Sequence, residues 1–357
     1  MQASEKIFID KILAIGAEYR ASDFHLSVGN PPILRVDGKL IPLVSEPLLT
    51  VDFMKNFVSS ILDKDQQAIL EKEKEIVFAY TMENKARFKI GIFYQKGNLA
   101  ASLRLIANQI KSLKELGLPA IVEKFAELEK GLVILSGPFG SGRTATLGAL
   151  LNTINRNRAE HIITIEKPIE YVYLNNKSII EQREVGKDTM SFEQALVTAA
   201  HEDFDVIYVS EVESLPVAEN VLNAAESSRL VLTTMNTDSV LRTLEKIISF
   251  FPDQRQAEAR DQLASVIEGV VSQRLLPRVG GGRIAVAEVL IPNDAVRSVI
   301  REGAIYQINN ILQTSREEGM ISLDRSLAEL LRTGEILADD ALANAVDKQS
   351  LRLMMRR

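Results

Sequence analysis

Cysteine and tryptophan are absent from the 357 residues, histidine occurs three times, and aromatic residues make up only 6% of the chain. Without cysteine there are no disulfides, no thiolate nucleophile and no zinc site built on sulfur. The three histidines, His25, His161 and His201, are far apart in sequence, which argues against a metal site made of imidazoles. No run approaches the roughly 18 apolar residues of a membrane helix. The amino terminus, MQASEKIFIDKILAIGAEYRASDFHL, interleaves charged and apolar residues where a signal peptide would carry an unbroken apolar stretch, so a cytoplasmic location is expected. Cationic excess is missing too: 42 Lys and Arg stand against 48 Asp and Glu, a net charge of −6. No large basic surface for nucleic acid is therefore expected.

What remains is the composition of an ordinary globular protein, 46% apolar and 25% charged, in a chain long enough for two domains. Phe8, Ile12, Ile15 and Tyr19 recur at helical spacing. Asp37-Gly38 inside an alternating stretch, residues 31–43, predicts a tight hairpin. Two helical stretches follow, and residues 75–106 read as three antiparallel strands joined at Glu83-Asn84 and Gly97-Asn98. These elements make an α+β domain over 1–108, with a connector over 109–118. Beyond it the pattern changes. GLVILSG (131–137), HIITIE (161–166), DVIYVSE (205–211) and RLVLTTM (229–235) are near-continuous apolar runs separated by helix-like segments. Strands of that kind are buried on both faces, which implies an α/β fold with a parallel, doubly wound sheet. The core is placed at 119–290. Leu263, Val266, Ile267, Val270 and Val271 follow helical spacing, and the region 291–357 reads as helical.

The run GPFGSGRT (137–144) fits G-x-x-x-x-G-K-[ST] at every position but one, between a buried strand and a helical segment. Gly137, Gly140, Ser141, Gly142, Arg143, Thr144 and Ala145 would turn backbone N–H groups and a helix amino terminus toward phosphate, and Thr144 would hold Mg²⁺. Arg143 stands where lysine is expected. It keeps the charge but replaces a compact ammonium with a wide planar fork, so binding of ATP is expected to survive better than its hydrolysis.

From here the residues resemble the PilT-like type IV pilus retraction ATPases of the secretion ATPase superfamily. ASDFHLSVGNPPILRVDGKL (21–40) is similar to that family's amino-terminal signature, and ITIEKPIEY (163–171) to its acidic box. EQREVGKDTMSFEQAL (181–196) and DFDVIYVSE (203–211), the Walker B strand, match further segments. So do GGGRIAVAEVLI and AVRSVIREG (295–303) near the carboxyl end. The resemblance implies a PAS-like domain followed by a RecA-like P-loop NTPase core and a helical C-terminal region. It also implies ATP and Mg²⁺ as ligands and a ring of six, either a homohexamer or a mixed ring with a paralogous pilus ATPase. A cytoplasmic place against the inner-membrane pilus platform protein follows, with no nucleic acid. It carries over Glu166 as the residue that activates the attacking water and Glu211 as the acid beside Mg²⁺. Arg87 and Arg104 match its γ-phosphate arginines. Read from the residues alone, both glutamates remain open to a role as solvated strand-end residues, and both arginines to one as strand residues facing water.

The chain departs from the family pattern in a small set of places. Arg229 and Asn236 occupy the two histidine positions of ESSRLVLTTMNT (226–237). Lys167 and Glu213 replace an aspartate and an arginine, and a reversed charge pair between them is one expectation, two independent surface changes the other. In AVRSVIREG, Val296, Val299 and Ile300 form an apolar stripe that would leave Arg297 and Arg301 exposed. The function expected is an ATP-binding motor subunit of pilus retraction and twitching motility with impaired hydrolysis. A catalytically inactive regulatory or co-assembling subunit is the alternative, and a fully active ATPase is less favoured.

Overall fold

The computed structural model describes residues 3–82, 86–107 and 109–355. The chain divides into two compact units, 1–109 and 110–357.

In the first unit α1 (Ala3–Glu18) leads into β1 (Asp23–Ser27), β2 (Ile33–Val36) and β3 (Lys39–Pro42). Then come α2 (Val51–Ile61), α3 (Lys64–Glu73), β4 (Glu75–Met82), β5 (Ala86–Gln95) and β6 (Asn98–Ile106). The strands form one sheet in the order β3-β2-β1-β6-β5-β4, and neighbouring strands run antiparallel. Asp37 and Gly38 both have positive φ, the backbone a two-residue hairpin turn demands. The second hairpin turns at Lys96-Gly97, one residue earlier than expected, because Gln95 pairs with Asn98 and both turn residues take positive φ. The turn placed at Glu83-Asn84 lies outside the described residues. Ile9 and Ile12 of α1 and Met54, Phe57, Val58 and Ile61 of α2 pack on alternate residues of β5, Phe88, Ile90 and Ile92. The apolar stripes read from the sequence cover one face of the sheet.

The second unit runs through β7 (Gly131–Ser136), α4 (Arg143–Asn157), β8 (His161–Glu166), β9 (Ile179–Glu184), α5 (Phe192–Ala200) and β10 (Val206–Val209). It continues with α6 (Leu215–Glu226), β11 (Leu230–Met235), α7 (Val240–Ser249), α8 (Gln256–Val266), β12 (Ile267–Pro277) and β13 (Arg283–Leu290). The helices α9 (Asp294–Arg301), α10 (Ile308–Thr314), α11 (Leu323–Arg332), α12 (Ala338–Asn344) and α13 (Lys348–Met355) complete it. Its sheet has the order β13-β12-β7-β11-β10-β8-β9, parallel except for the β12–β13 pair. Along β7, Leu132 and Ile134 face a layer that includes α5, α6, α7 and α8. Val133 and Leu135 face Leu147, Leu150, Leu151 and Ile154 of α4. This two-sided burial is why the strands read as unbroken apolar runs, and the α/β architecture is the one the sequence implies.

One segment differs from expectation. Ile267, Val270 and Val271 lie on β12, not on a helix: α8 ends at Val266 and the chain continues extended. Apolar residues at 263, 266, 267, 270 and 271 satisfy a helical period by coincidence, since a strand buried on both faces imposes no alternation of its own.

Arg297 is also not exposed. On α9 the stripe Val296, Val299 and Ile300 is buried as expected. The Arg297 guanidinium, however, turns back to donate to the carbonyls of Ala264 (2.6 Å) and Ser265 (3.3 Å) in the last turn of α8, and to Glu268 Oε1 (2.9 Å). A cation on unsatisfied carbonyls at a helix carboxyl end is favoured by the helix dipole as well as by the bonds. Arg301 stays exposed. Replacing Arg297 with methionine keeps the aliphatic stem and removes every bond. We expect a loss of about 1–3 kcal/mol in urea unfolding; an unchanged midpoint and slope would show that the cap contributes nothing.

Candidate functional site

The carboxyl ends of β7, β8, β10 and β11 meet at one edge of the second sheet, where open α/β sheets place their ligand crevice. β7 ends at Ser136 and the chain turns through Gly137, Gly140 and Gly142, all with positive φ, before α4 starts at Arg143. A Cβ on Gly137 would lie 2.3 Å from the Gln273 carbonyl oxygen, so only glycine fits there. Gly142 is the left-handed N-cap of α4 and brings no capping side chain. The first N–H groups of α4, those of Arg143, Thr144 and Ala145, therefore lack intrahelical partners and present the anion-binding end of a helix.

Arg143 is the electrostatic anomaly. Its Nη1 is buried and finds no hydrogen-bond partner among the described residues. Burial pulls the guanidinium below its ordinary pKa, and attraction to Glu211 opposes this. Thr144 is half-buried in the first helical turn, and Glu211 is half-buried just past the end of β10. Lone buried donors of this kind are costly unless an acceptor arrives.

Glu166 is the last residue of β8 and only 2% exposed. Thr164 Oγ1 donates to its Oε1 at 2.7 Å, and Gln182 Nε2 from β9 donates to the same oxygen at 3.1 Å. Burial pushes its carboxyl up to about 7, with both hydrogen bonds working in the other direction. The solvated strand-end reading therefore fails for Glu166. Gln182 is itself locked: its Nε2 also donates to the Tyr171 carbonyl (2.8 Å), and its Oε1 accepts from the Tyr173 N–H (2.9 Å).

Beneath the glycine loop, Gln273 of β12 is 1% exposed. Its Nε2 donates to the Ser141 carbonyl (2.8 Å), and its Oε1 accepts from Thr146 Oγ1 (2.9 Å). The sequence reading missed Thr164, Gln182 and Gln273. Thr164 and Gln273 share one signal: each interrupts a run of apolar strand residues, where a buried polar side chain demands a partner.

Arg87 and Arg104 belong to the first unit, on adjacent strands, and the register puts both on one face of that sheet together with Lys89. Arg104 Nε is ion-paired with Asp23 Oδ1 at 2.7 Å, and Arg87 Nη1 donates to Thr81 Oγ1 at 3.0 Å.

The departures from the family pattern separate in space. Asn236 follows Met235, which is paired with Ser136 at the foot of the glycine loop. Arg229 precedes Leu230, which is paired with Gly131 at the far end of the same strands, about 20 Å away at the rise of a β-strand. There its guanidinium donates to the carbonyls of Ala200, Glu202 and Phe204, at and just beyond the end of α5. Arg229 is thus a helix cap remote from the loop. Lys167 and Glu213 are both exposed, on segments following neighbouring strands, and no ion pair joins them among the described residues.

The family described as type II/IV secretion system protein matches residues 2–281. The type IV pilus retractation ATPase PilT of Pseudomonas aeruginosa is 35% identical over 337 residues, covering 94% of this chain and 98% of the relative. The type IV pilus ATPase PilU of the same organism is 35% identical over 348 residues, covering 97% and 91%. Among solved structures, the pilus retraction motor PilT with bound ADP aligns with a TM-score of 0.83 and 37% identity, over 96% of this chain and 98% of that one. Likeness sustained through both units, in sequence and in fold, carries one conclusion: this chain belongs to the type II/IV secretion system proteins and, within them, to the PilT-like retraction ATPase family.

Proposed function

We propose that this chain is an ATP-binding motor subunit of type IV pilus retraction and twitching motility, and that Arg143 slows its hydrolysis of ATP. The observation that carries the reading is the buried, unpartnered Nη1 of Arg143 at the start of α4, a helix whose amino terminus follows the glycine loop and has no capping side chain. A phosphate oxygen supplies the acceptor that this donor lacks. Gly137, Gly140, Ser141, Gly142, Arg143, Thr144 and Ala145 bind the nucleotide, and Thr144 and Glu211 hold Mg²⁺, which would neutralise charge on the phosphate oxygens. Glu166 takes the proton of the attacking water, a task suited to a carboxyl with a pKa of about 7. Arg87 and Arg104, in a PAS-like domain over 1–108, stabilise negative charge at the γ-phosphate. In Arg104 the Nε is held by Asp23, so the terminal nitrogens would carry that contact.

In this reading the RecA-like core at 119–290 and the helical region at 291–357 assemble into a six-membered ring, homomeric or mixed with a paralogue, against the inner-membrane platform protein. The relatives' names support the pilus assignment. Among the described residues no helix is long and apolar enough to cross a membrane, which accords with a peripheral place. Asn236 at the foot of the loop favours a second reading, a regulatory subunit that binds nucleotide without turnover.

Calorimetric titration with ADP and ATP, beside a steady-state ATPase assay, tests the proposal. The expected result is saturable binding that weakens in Glu211→Ala when Mg²⁺ is present, with turnover well below about 1 per second. Faster turnover would refute impairment. No binding of either nucleotide would refute the motor reading itself.

A further inference from the structure

We infer that Gln273 is a positioning residue for the nucleotide, one that sets the shape of the junction between the glycine loop and α4 by holding it on both sides. The inference rests on the nucleotide-binding reading above and deepens it. The Ser141 carbonyl can only accept a hydrogen bond, so the Gln273 amide must face it with Nε2. That fixes Oε1 on the other side, where the Thr146 hydroxyl donates to it. One side chain thus ties the residue before the Gly142 cap to the first turn of α4, and the three N–H groups of Arg143, Thr144 and Ala145 lie between the two anchors. The backbone of Gln273 closes the remaining side, since its carbonyl lies 2.3 Å from where a Cβ on Gly137 would stand. Its Nε2 also lies 3.2 Å from a Cβ placed on Gly142. Two of the loop's glycines are therefore shaped around this one residue.

The strand that carries Gln273 gives the arrangement a second consequence. Successive strand residues point to opposite faces. Arg274, the next residue, donates on the other side to the Asp238 carbonyl (3.1 Å) in the segment after β11, and to the Asn344 carbonyl (3.3 Å) at the end of α12. Gln273 is thereby held on a strand fastened to the segment that carries Asn236 and to the carboxy-terminal helices. The loop takes its position from β12, and β12 from the rest of the unit.

The test uses the full chain and a fluorescent ADP analogue. Gln273→Met keeps the volume and removes both bonds. Thr146→Val removes one bond, with Thr146→Ser as the variant that restores the hydroxyl. Losing the anchors is expected to weaken ADP binding about tenfold in Gln273→Met and severalfold in Thr146→Val, with Thr146→Ser within about twofold of wild type. Hydrogen exchange of residues 137–146 should accelerate in Gln273→Met without ligand. A side chain that only fills the core would lower the melting temperature and leave both the dissociation constant and loop exchange unchanged, and that result overturns the inference. If Gln273→Met fails to fold, the Thr146→Val and Thr146→Ser pair decides by the same dissociation constants. Wild-type protein that does not bind ADP, yet shows the exchange effect, refutes the nucleotide reading and leaves Gln273 only as the loop's anchor. Wild-type binding with unchanged variants refutes Gln273 alone.

Discussion

Arg143→Lys is expected to raise steady-state ATP turnover at least about tenfold, equivalent to about 1.4 kcal/mol of transition-state stabilisation. Position 143 opens α4, so its side chain starts from the end of the helix where the free N–H groups converge. Hydrolysis spreads negative charge over the transferring phosphoryl oxygens, and a small ammonium with rotatable donors can follow that charge between the β- and γ-phosphates. A guanidinium cannot contract its fork: one edge meets an acceptor while the other must be accommodated elsewhere. In this chain the buried Nη1 is the edge that takes the phosphate oxygen, so the rest of the fork is the part to be accommodated. Lysine exchanges that orphan for an ammonium whose three donors need acceptors of their own, so stability in urea should stay within about 1 kcal/mol of wild type. Arg143→Ala serves as the contrast. If alanine and lysine give equal turnover, charge at this position is irrelevant and the proposed cause of slow hydrolysis is wrong; if lysine is no faster than arginine, the fork is not the obstacle.

The parts of the fold that were legible in the sequence are those in which a local rule and the tertiary structure agree. Two-sided burial wrote Leu132 to Leu135 as an unbroken apolar run, and the need for positive φ wrote Asp37-Gly38. The glycine loop was legible because its spacing is set by backbone geometry that few residue types permit. β12 was misread for the complementary reason: Val270 and Val271 answer to neighbours on both faces, and a burial pattern without alternation can mimic a helix.

The hidden parts of the site are contacts between residues distant in sequence. Gln273 meets Ser141 and Thr146 across more than a hundred residues, and no spacing rule connects them. Arg229 and Arg297 have the same origin. Neither has a partner legible in its own segment, yet each finds its partners at the carboxyl end of a helix supplied by another part of the chain. Substitutions that resemble one coordinated change around the nucleotide thus resolve into two classes. Arg143 and Asn236 border the loop, whereas Arg229 caps α5 at the opposite end of the sheet.

Glu166→Gln should separate chemistry from stability at a single side chain. As the proposed general base, Glu166 accounts for about 10²- to 10⁴-fold in rate, so turnover should fall by that factor. The loss is best read in the Arg143→Lys background, where the starting rate is higher. Stability should move the other way. Burial raises the Glu166 carboxyl from 4.5 to about 7 in the folded protein. The folded state therefore holds the proton more tightly than the unfolded chain, and the stability this proton confers is complete below pH 4.5 and lost as pH rises through 7. Above pH 7 the protein carries a buried charge at a cost of about 3 kcal/mol. Glutamine cannot ionise, and its Oε1 still accepts from Thr164 and Gln182. Its NH₂ is a poorer neighbour than a carboxylate oxygen for the Glu170 N–H, which trims the gain. The variant should be about 2–3 kcal/mol more stable than wild type at pH 8, with the advantage shrinking to about 1 kcal/mol or less at pH 5. Slow turnover with this pH-dependent gain identifies a carboxylate kept ionisable for chemistry at the expense of the fold. A variant that hydrolyses ATP normally refutes the base, and one that is less stable at pH 8 refutes the buried-charge penalty.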